Sequence, residues 1–220
     1  MIVAETKPLY EIVSSISRFK NILVVGCGSC VTVCLTGGNK AAEDLVRELS
    51  LPYRYKGDPP LFRIASLIRQ CEKDLVEENL EIPQSIDAIL SLACGAGVQT
   101  VSEAYPHLPV IPALNTTFLG AVDEPGIWRE KCRGCGDCIL AETAGICPVT
   151  RCAKQLFNGP CGGAKNGMCE IRNDVPCAWN LIIERLIALD MMENLSRIIP
   201  PRDWSRDRSG GPRELVPVIE

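Results

Sequence analysis

The sequence predicts an α/β protein: a small, mainly parallel sheet domain, then a Cys-rich metal-binding domain with few regular elements and a C-terminal helix. Three observations carry this. Short apolar runs alternate with helical periodicities through the first half of the chain, as βα units require. Cysteine is the compositional outlier, with 13 in 220 residues. Eight of these fall between Cys132 and Cys177, in a Gly-rich stretch almost without apolar periodicity.

Taken in order, Leu9, Ile12, Val13, Ile16 and Phe19 recur at helical spacing. Ile22, Leu23, Val24 and Val25, ended by Gly26, form an uninterrupted apolar run, the mark of a strand buried on both faces. After a turn from Gly26 to Gly38, residues 41–49 read as helix and residues 51–55 as a short strand. Residues 61–78 read as one long helix with the stripe Leu61, Ile64, Ile68, Cys71 and Leu75, which assigns Cys71 to the core. Residues 88–92 give a second buried strand, 97–104 a short helix, and Val110-Ile111 a further strand. In such sheets ligands gather at the carboxyl ends of the strands. From Gly126 onward no apolar core is legible, so metal-ligand bonds must stand in for it. Trp179, Ile182, Ile183, Leu186 and Leu189 then supply one amphipathic helix, and from Pro200 the composition becomes that of an extended tail. The expected division is a small α/β domain with an N-terminal cysteine site over 1–125, a Cys-rich domain over 126–199 and a tail over 200–220.

At 220 residues the chain is too short for a large multidomain enzyme. Hydrophobic residues at 46% and charged residues at 23% place it among globular proteins. A net charge of −4 offers no field for a phosphate backbone, so nucleic acid is not an expected partner. Glu5 and Lys7 interrupt any signal-like run, and the two longest uncharged stretches, 21–39 and 104–122, are broken by Gly and Pro; no membrane insertion is expected. The reading is cytoplasmic, where thiols stay reduced unless a metal claims them. The only histidine, His107, lies between prolines, and no nucleophile-base pair accompanies it.

The cysteine spacing carries the chemistry. Three thiolates at Cys132, Cys135 and Cys138 can wrap three corners of a cubane cluster. A tetrahedral zinc takes one C-x2-C pair from each of two places, and the third thiol would be surplus to it. A ferredoxin run would reach its Cys-Pro after three further residues; here Cys147-Pro148 comes after eight. The fourth ligand is therefore one of Cys147, Cys152, Cys161, Cys169 and Cys177. Eight thiols suit two four-cysteine clusters, or one cluster and one four-cysteine zinc. The Gly residues around Cys161 free backbone N–H groups for a thiolate, and equally serve a chain reversal. Cys27, Cys30 and Cys34 lie in the turn after the first buried strand, with Cys94 at the end of the second, so these four are expected to converge as a further site. The competing reading makes them small buried hydrophobes. Gly26-x-Gly28 suggests a dinucleotide loop, but Val31 occupies the third glycine position.

The stretch from 132 to 186, beginning CRGCGDCILAETAGICPVTRC, resembles the cysteine-rich methylenetetrahydrofolate reductase C-terminal domain of anaerobic bacteria. With GCGSCVTVCLTGG ahead of it, the whole chain is similar to the small, MetV-type subunits of methylenetetrahydrofolate reductase complexes. The resemblance implies a flavin-containing TIM-barrel catalytic subunit as partner, working in the reductive acetyl-CoA pathway. It further implies that this chain is a non-catalytic iron-sulfur subunit that takes electrons from a donor protein not identifiable from sequence and relays them to the flavin. One to three 4Fe-4S clusters are expected, two or more suiting the thiol count better, or zinc in one four-cysteine site. A structural zinc adaptor that docks the catalytic subunit onto an electron-donating assembly is the alternative. A thiol redox sensor would need exposed thiols without stoichiometric metal. Trp204, Arg202, Arg206 and Arg208 in the tail are expected to engage a partner or solvent.

Overall fold

The computed structural model describes residues 1–51, 59–208, 213 and 215. Two compact units divide it, Met1–Arg129 and Glu130–Glu220. In the first, the elements are β1 (Ile2–Thr6), α1 (Leu9–Ile16), β2 (Asn21–Cys27), α2 (Cys30–Val33), α3 (Gly38–Ser50), β3 (Leu61–Leu67), α4 (Lys73–Asn79), β4 (Ala88–Leu92), α5 (Gly95–Ala104), β5 (Val110–Pro112) and β6 (Leu114–Glu124). Next comes β7 (Ile127–Cys132), which carries the chain into the second unit.

A parallel sheet in the order β3-β2-β4-β5 organises the first unit. Successive side chains of β2 point to opposite faces, and both faces are covered. Ile22 and Val24 join Ile12 and Ile16 of α1 and Ala42, Leu45 and Leu49 of α3. Leu23 and Val25 join Val76 of α4 and Val101 of α5. Burial on both sides is why the strand reads as a continuous apolar run. Every residue of β4 is buried for the same reason. Gly26 permits the close packing behind β2: a Cβ there would stand 2.5 Å from the Gly38 carbonyl oxygen at the start of α3.

The long helix expected over 61–78 is corrected. Residues 61–67 form β3, paired in parallel with Asn21–Cys27, and only Lys73–Asn79 is helical. Pairing along the full length of β2 overrides the i, i+3, i+4 recurrence of the apolar residues. Leu61 is 69% and Ile68 71% exposed, so the expected stripe is not a core face. Cys71 is exposed, not a core residue. Of the short strand expected over 51–55, residues 52–55 lie outside the described residues. A second, three-stranded sheet, β1-β6-β7, was not anticipated; β1 runs antiparallel to β6, and Pro125 and Gly126, the latter with φ +83°, link β6 to β7. Asn115, Thr116 and Thr117 interrupt any apolar alternation at the start of β6.

The second unit has the short helices α6 (Pro148–Arg151), α7 (Ala178–Ala188) and α8 (Ser205–Arg208), and a 3-10 turn at Met192–Ser196. It does possess a small core: Cys177, Trp179, Ile182 and Leu186 are buried, with Ile146 and Leu156 against them. The Trp179 indole donates to the Leu156 carbonyl at 3.0 Å. Asn194, also buried, ties the 3-10 turn to the carbonyls of Ala141 and Glu142. No helix among the described residues is long and apolar enough to cross a membrane.

Candidate metal centres

In the first unit the thiols gather where the parallel strands end. Cys27 is the last residue of β2, Cys30 opens α2 and Cys94 stands at the N-cap of α5. The segment after β3 folds over these strand ends: Gly28 N–H donates to Leu67 O at 2.8 Å and the Ser29 hydroxyl to Ile68 O at 2.7 Å. Gln70, fully buried, fixes the crossing. Its amide donates to Val25 O at 2.9 Å, and the Ser91 hydroxyl donates to its carbonyl oxygen at 2.6 Å. Cys71 follows directly. Its thiol is pushed up, first by partial desolvation and then by the neighbouring thiolates of Cys94 and Cys27, with Cys30 contributing further. Cys34 has other surroundings: it is 4% exposed, and its sulfur lies within hydrogen-bonding reach of the carbonyls of Val31 (3.5 Å) and Ala4 (3.8 Å) and of the Thr36 hydroxyl (3.6 Å).

In the second unit the cysteines divide between two cavities. Cys132, Cys135, Cys138 and Cys147 line one of about 200 Å³. Cys152, Cys161, Cys169 and Cys177 line another of about 20 Å³.

Residues 111–205 match the family model described as methylene-tetrahydrofolate reductase C terminal.

That segment takes in both cavities, all eight of their cysteines and Arg202, and ties this part of the chain to methylenetetrahydrofolate reductases. No curated protein and no solved structure matches the chain.

Within the matched segment two glycine amides face thiols. Gly134 N–H donates to Cys132 Sγ at 3.3 Å and Gly163 N–H to Cys161 Sγ at 3.4 Å. Gly134 has φ +67°, a conformation open to glycine at little cost, which turns its amide back toward the thiol two residues earlier. The Cys169 thiol is held below the ordinary range, first by the N–H of Arg172 and then by that of Ile171, with Lys154 adding a smaller effect. Glu170 pairs with Lys154 and accepts from Cys161 Sγ at 3.5 Å.

Arg202 is the side chain at this cavity that sequence reasoning placed elsewhere, in the tail. It turns inward and helps line the larger cavity, its side chain 5% exposed. Nη2 donates to Cys135 Sγ at 2.9 Å and to the Asp137 carbonyl. The guanidinium carbon stands 5.2 Å from the Phe157 ring centre and 5.0 Å from that of Trp204. Nε and Nη1 are buried without a hydrogen-bond partner, Nε standing 3.9 Å from the Asp137 carboxylate as a longer ion pair. A buried cation with donors to spare, beside four thiols, fits an anionic thiolate-ligated centre. Of the tail residues expected to engage a partner or solvent, Arg202 is instead turned inward, while Trp204 packs edge-on against Phe157 and stays 41% exposed; Asp207 pairs with Arg133 at 3.6 Å.

As the side chains stand, no set of three or more His, Cys, Asp or Glu among the described residues is already arranged to hold a metal ion. The groups are linings, not closed coordination shells.

Proposed function

We propose that this chain is the iron-sulfur electron-transfer subunit of a methylenetetrahydrofolate reductase complex, receiving electrons from a donor protein and relaying them to the flavin of a catalytic subunit. The observation that carries this reading is the lining of one cavity by Cys132, Cys135, Cys138 and Cys147, with Arg202 donating to the Cys135 sulfur. This lining supports Cys147 as the fourth thiol among the five that spacing left open. Bound there, a 4Fe-4S cluster supplies one-electron uptake and release. The four thiolates hold it, while Arg202 and the Gly134 N–H set its potential through charge and hydrogen bonds to sulfur.

The second group favours a different occupant. A cavity of about 20 Å³ has room for roughly one water-sized body, which suits a single ion better than a cubane. Cys152, Cys161, Cys169 and Cys177 would hold structural zinc in the usual S4 tetrahedron. The chain then combines a redox centre with a folding centre, and the zinc-adaptor reading describes one half of it.

The reading is tested by anaerobic co-expression with a flavin-containing methylenetetrahydrofolate reductase subunit, followed by iron, acid-labile sulfide and zinc analysis of the purified complex. Iron and sulfide in equal amounts, with reduction of the flavin by way of this chain, support it. Failure to co-purify with the flavoprotein removes it.

A further inference from the structure

We infer that Cys71 completes a separate four-thiol centre with Cys27, Cys30 and Cys94 at the carboxyl edge of the parallel sheet, and that Cys34 is not a ligand. The inference extends the metal-protein reading to the first unit and replaces one member of the grouping that sequence suggested.

Topology argues for it first. β3, β2 and β4 are adjacent and parallel, so their carboxyl ends share one edge, and each leads into a segment bearing one or more of these thiols. Three contacts then bring the segments together. Ser29, the neighbour of Cys30, bonds the carbonyl of Ile68. Gln70, the neighbour of Cys71, is pinned between Val25 of β2 and Ser91 of β4. Gly97 in the first turn of α5, just after Cys94, packs so closely on Gln70 that a Cβ there would stand 3.0 Å from the Gln70 Cβ. The thiols that stand beside the residues these contacts join are Cys27, Cys30, Cys71 and Cys94. Cys34 is absent from that set: its buried sulfur is occupied by the backbone carbonyls of Ala4, Cys30 and Val31 and by the Thr36 hydroxyl.

The donor chemistry narrows the ligand. Four thiolates select a soft metal centre, either a zinc ion or an iron-sulfur cluster. Cys71 is exposed while Cys27 is buried, so the centre would lie at the surface, with one ligand on a segment between elements. Ligation also accounts for the full thiol inventory: three groups of four, and Cys34 left as a buried thiol.

The test uses the full chain made anaerobically, with iron, zinc and sulfide counted per chain in wild type, Cys71→Ala and Cys34→Ala. Cys71→Ala should lose the metal of one centre, either one zinc or a cluster's iron and sulfide together, while Cys34→Ala keeps the wild-type content. A second readout needs no variant. Iodoacetamide mapped by mass spectrometry should spare Cys71 in the metal-loaded chain, despite its exposure, and modify it after chelation. Retention of full metal by Cys71→Ala, or equal alkylation of Cys71 with and without metal, overturns the site. A chain that holds only zinc would sink the electron-transfer reading and leave this test intact, because the loss is counted whichever metal is bound.

Discussion

Arg202 and Gln70 show what single side chains contribute. Arg202 offers a charge-assisted hydrogen bond to the Cys135 sulfur and brings a buried positive charge. Such bonds are worth about 1.5–3 kcal/mol, and for one electron about 59 mV corresponds to a tenfold change in equilibrium constant. Arg202→Gln should therefore leave iron bound and lower the cluster's midpoint potential by roughly 65–130 mV, read by anaerobic EPR titration. An unchanged potential would remove its tuning role. Gln70→Leu strips partners from the Ser91 hydroxyl and the Val25 carbonyl, both inside the sheet edge. It should destabilise the chain by about 1–3 kcal/mol or more in urea unfolding. Gln70 was not legible in the sequence, and Arg202 was legible only as a tail residue for a partner or solvent. Arg202 lies in a stretch whose composition reads as solvated tail, and its role depends on Phe157 and Cys135, far away along the chain. Cys71 was hidden by the apolar residues around it, whose spacing happens to fit a helix.

At the scale of elements, β2, β4, α5 and α7 were legible because each is buried in a pattern its own residues declare. β3 was not, because it is an edge strand exposed at Leu61, Arg63, Ile64 and Ser66 without a period of two, and its identity is fixed by pairing with β2. The difference is measurable. Leu61→Lys and Ile68→Lys should each change stability by no more than about 0.5 kcal/mol, as exposed positions do, whereas Ile89→Ala in the buried β4 should cost about 2–5 kcal/mol. Large losses at Leu61 and Ile68 would restore the helical reading. The opposite ends of β2 and β4 are clamped by Asp87, whose carboxylate accepts from the backbone N–H groups of Lys20 and Asn21, each at 2.9 Å. Those N–H groups, Asn21 first, hold its pKa below the ordinary carboxylate value. With the folded value depressed, the stabilising effect is present above the unfolded value of about 3.9 and is lost as pH falls through the folded one. Asp87→Asn should accordingly show a shallower loss of stability on acidification below about pH 4, measured by thermal melts across that range.

For the whole molecule, the two units differ in what holds them. Met1–Arg129 has a layered sheet with apolar clusters on both faces, and Glu130–Glu220 has one small cluster around Trp179 and Ile182. Metal removal should therefore open the second unit while the parallel sheet of the first persists. Hydrogen exchange after chelation reads this directly, with loss of protection in α7 and its retention in β2 and β4. Sequence conveyed this asymmetry correctly, through the abrupt change from apolar runs to cysteine and glycine, but not the partition of thiols into groups, which is a property of folded loops. We propose that the group Cys132, Cys135, Cys138 and Cys147 belongs to an electron-transfer centre of a methylenetetrahydrofolate reductase complex. The most direct test is iron, sulfide and zinc analysis, with EPR of the dithionite-reduced state, on wild-type chain and Cys135→Ala purified anaerobically with the flavoprotein. The expected result is matched iron and sulfide with a reduced-cluster signal in wild type and the loss of one cluster's iron and sulfide in Cys135→Ala; zinc alone, without sulfide or signal, would contradict it.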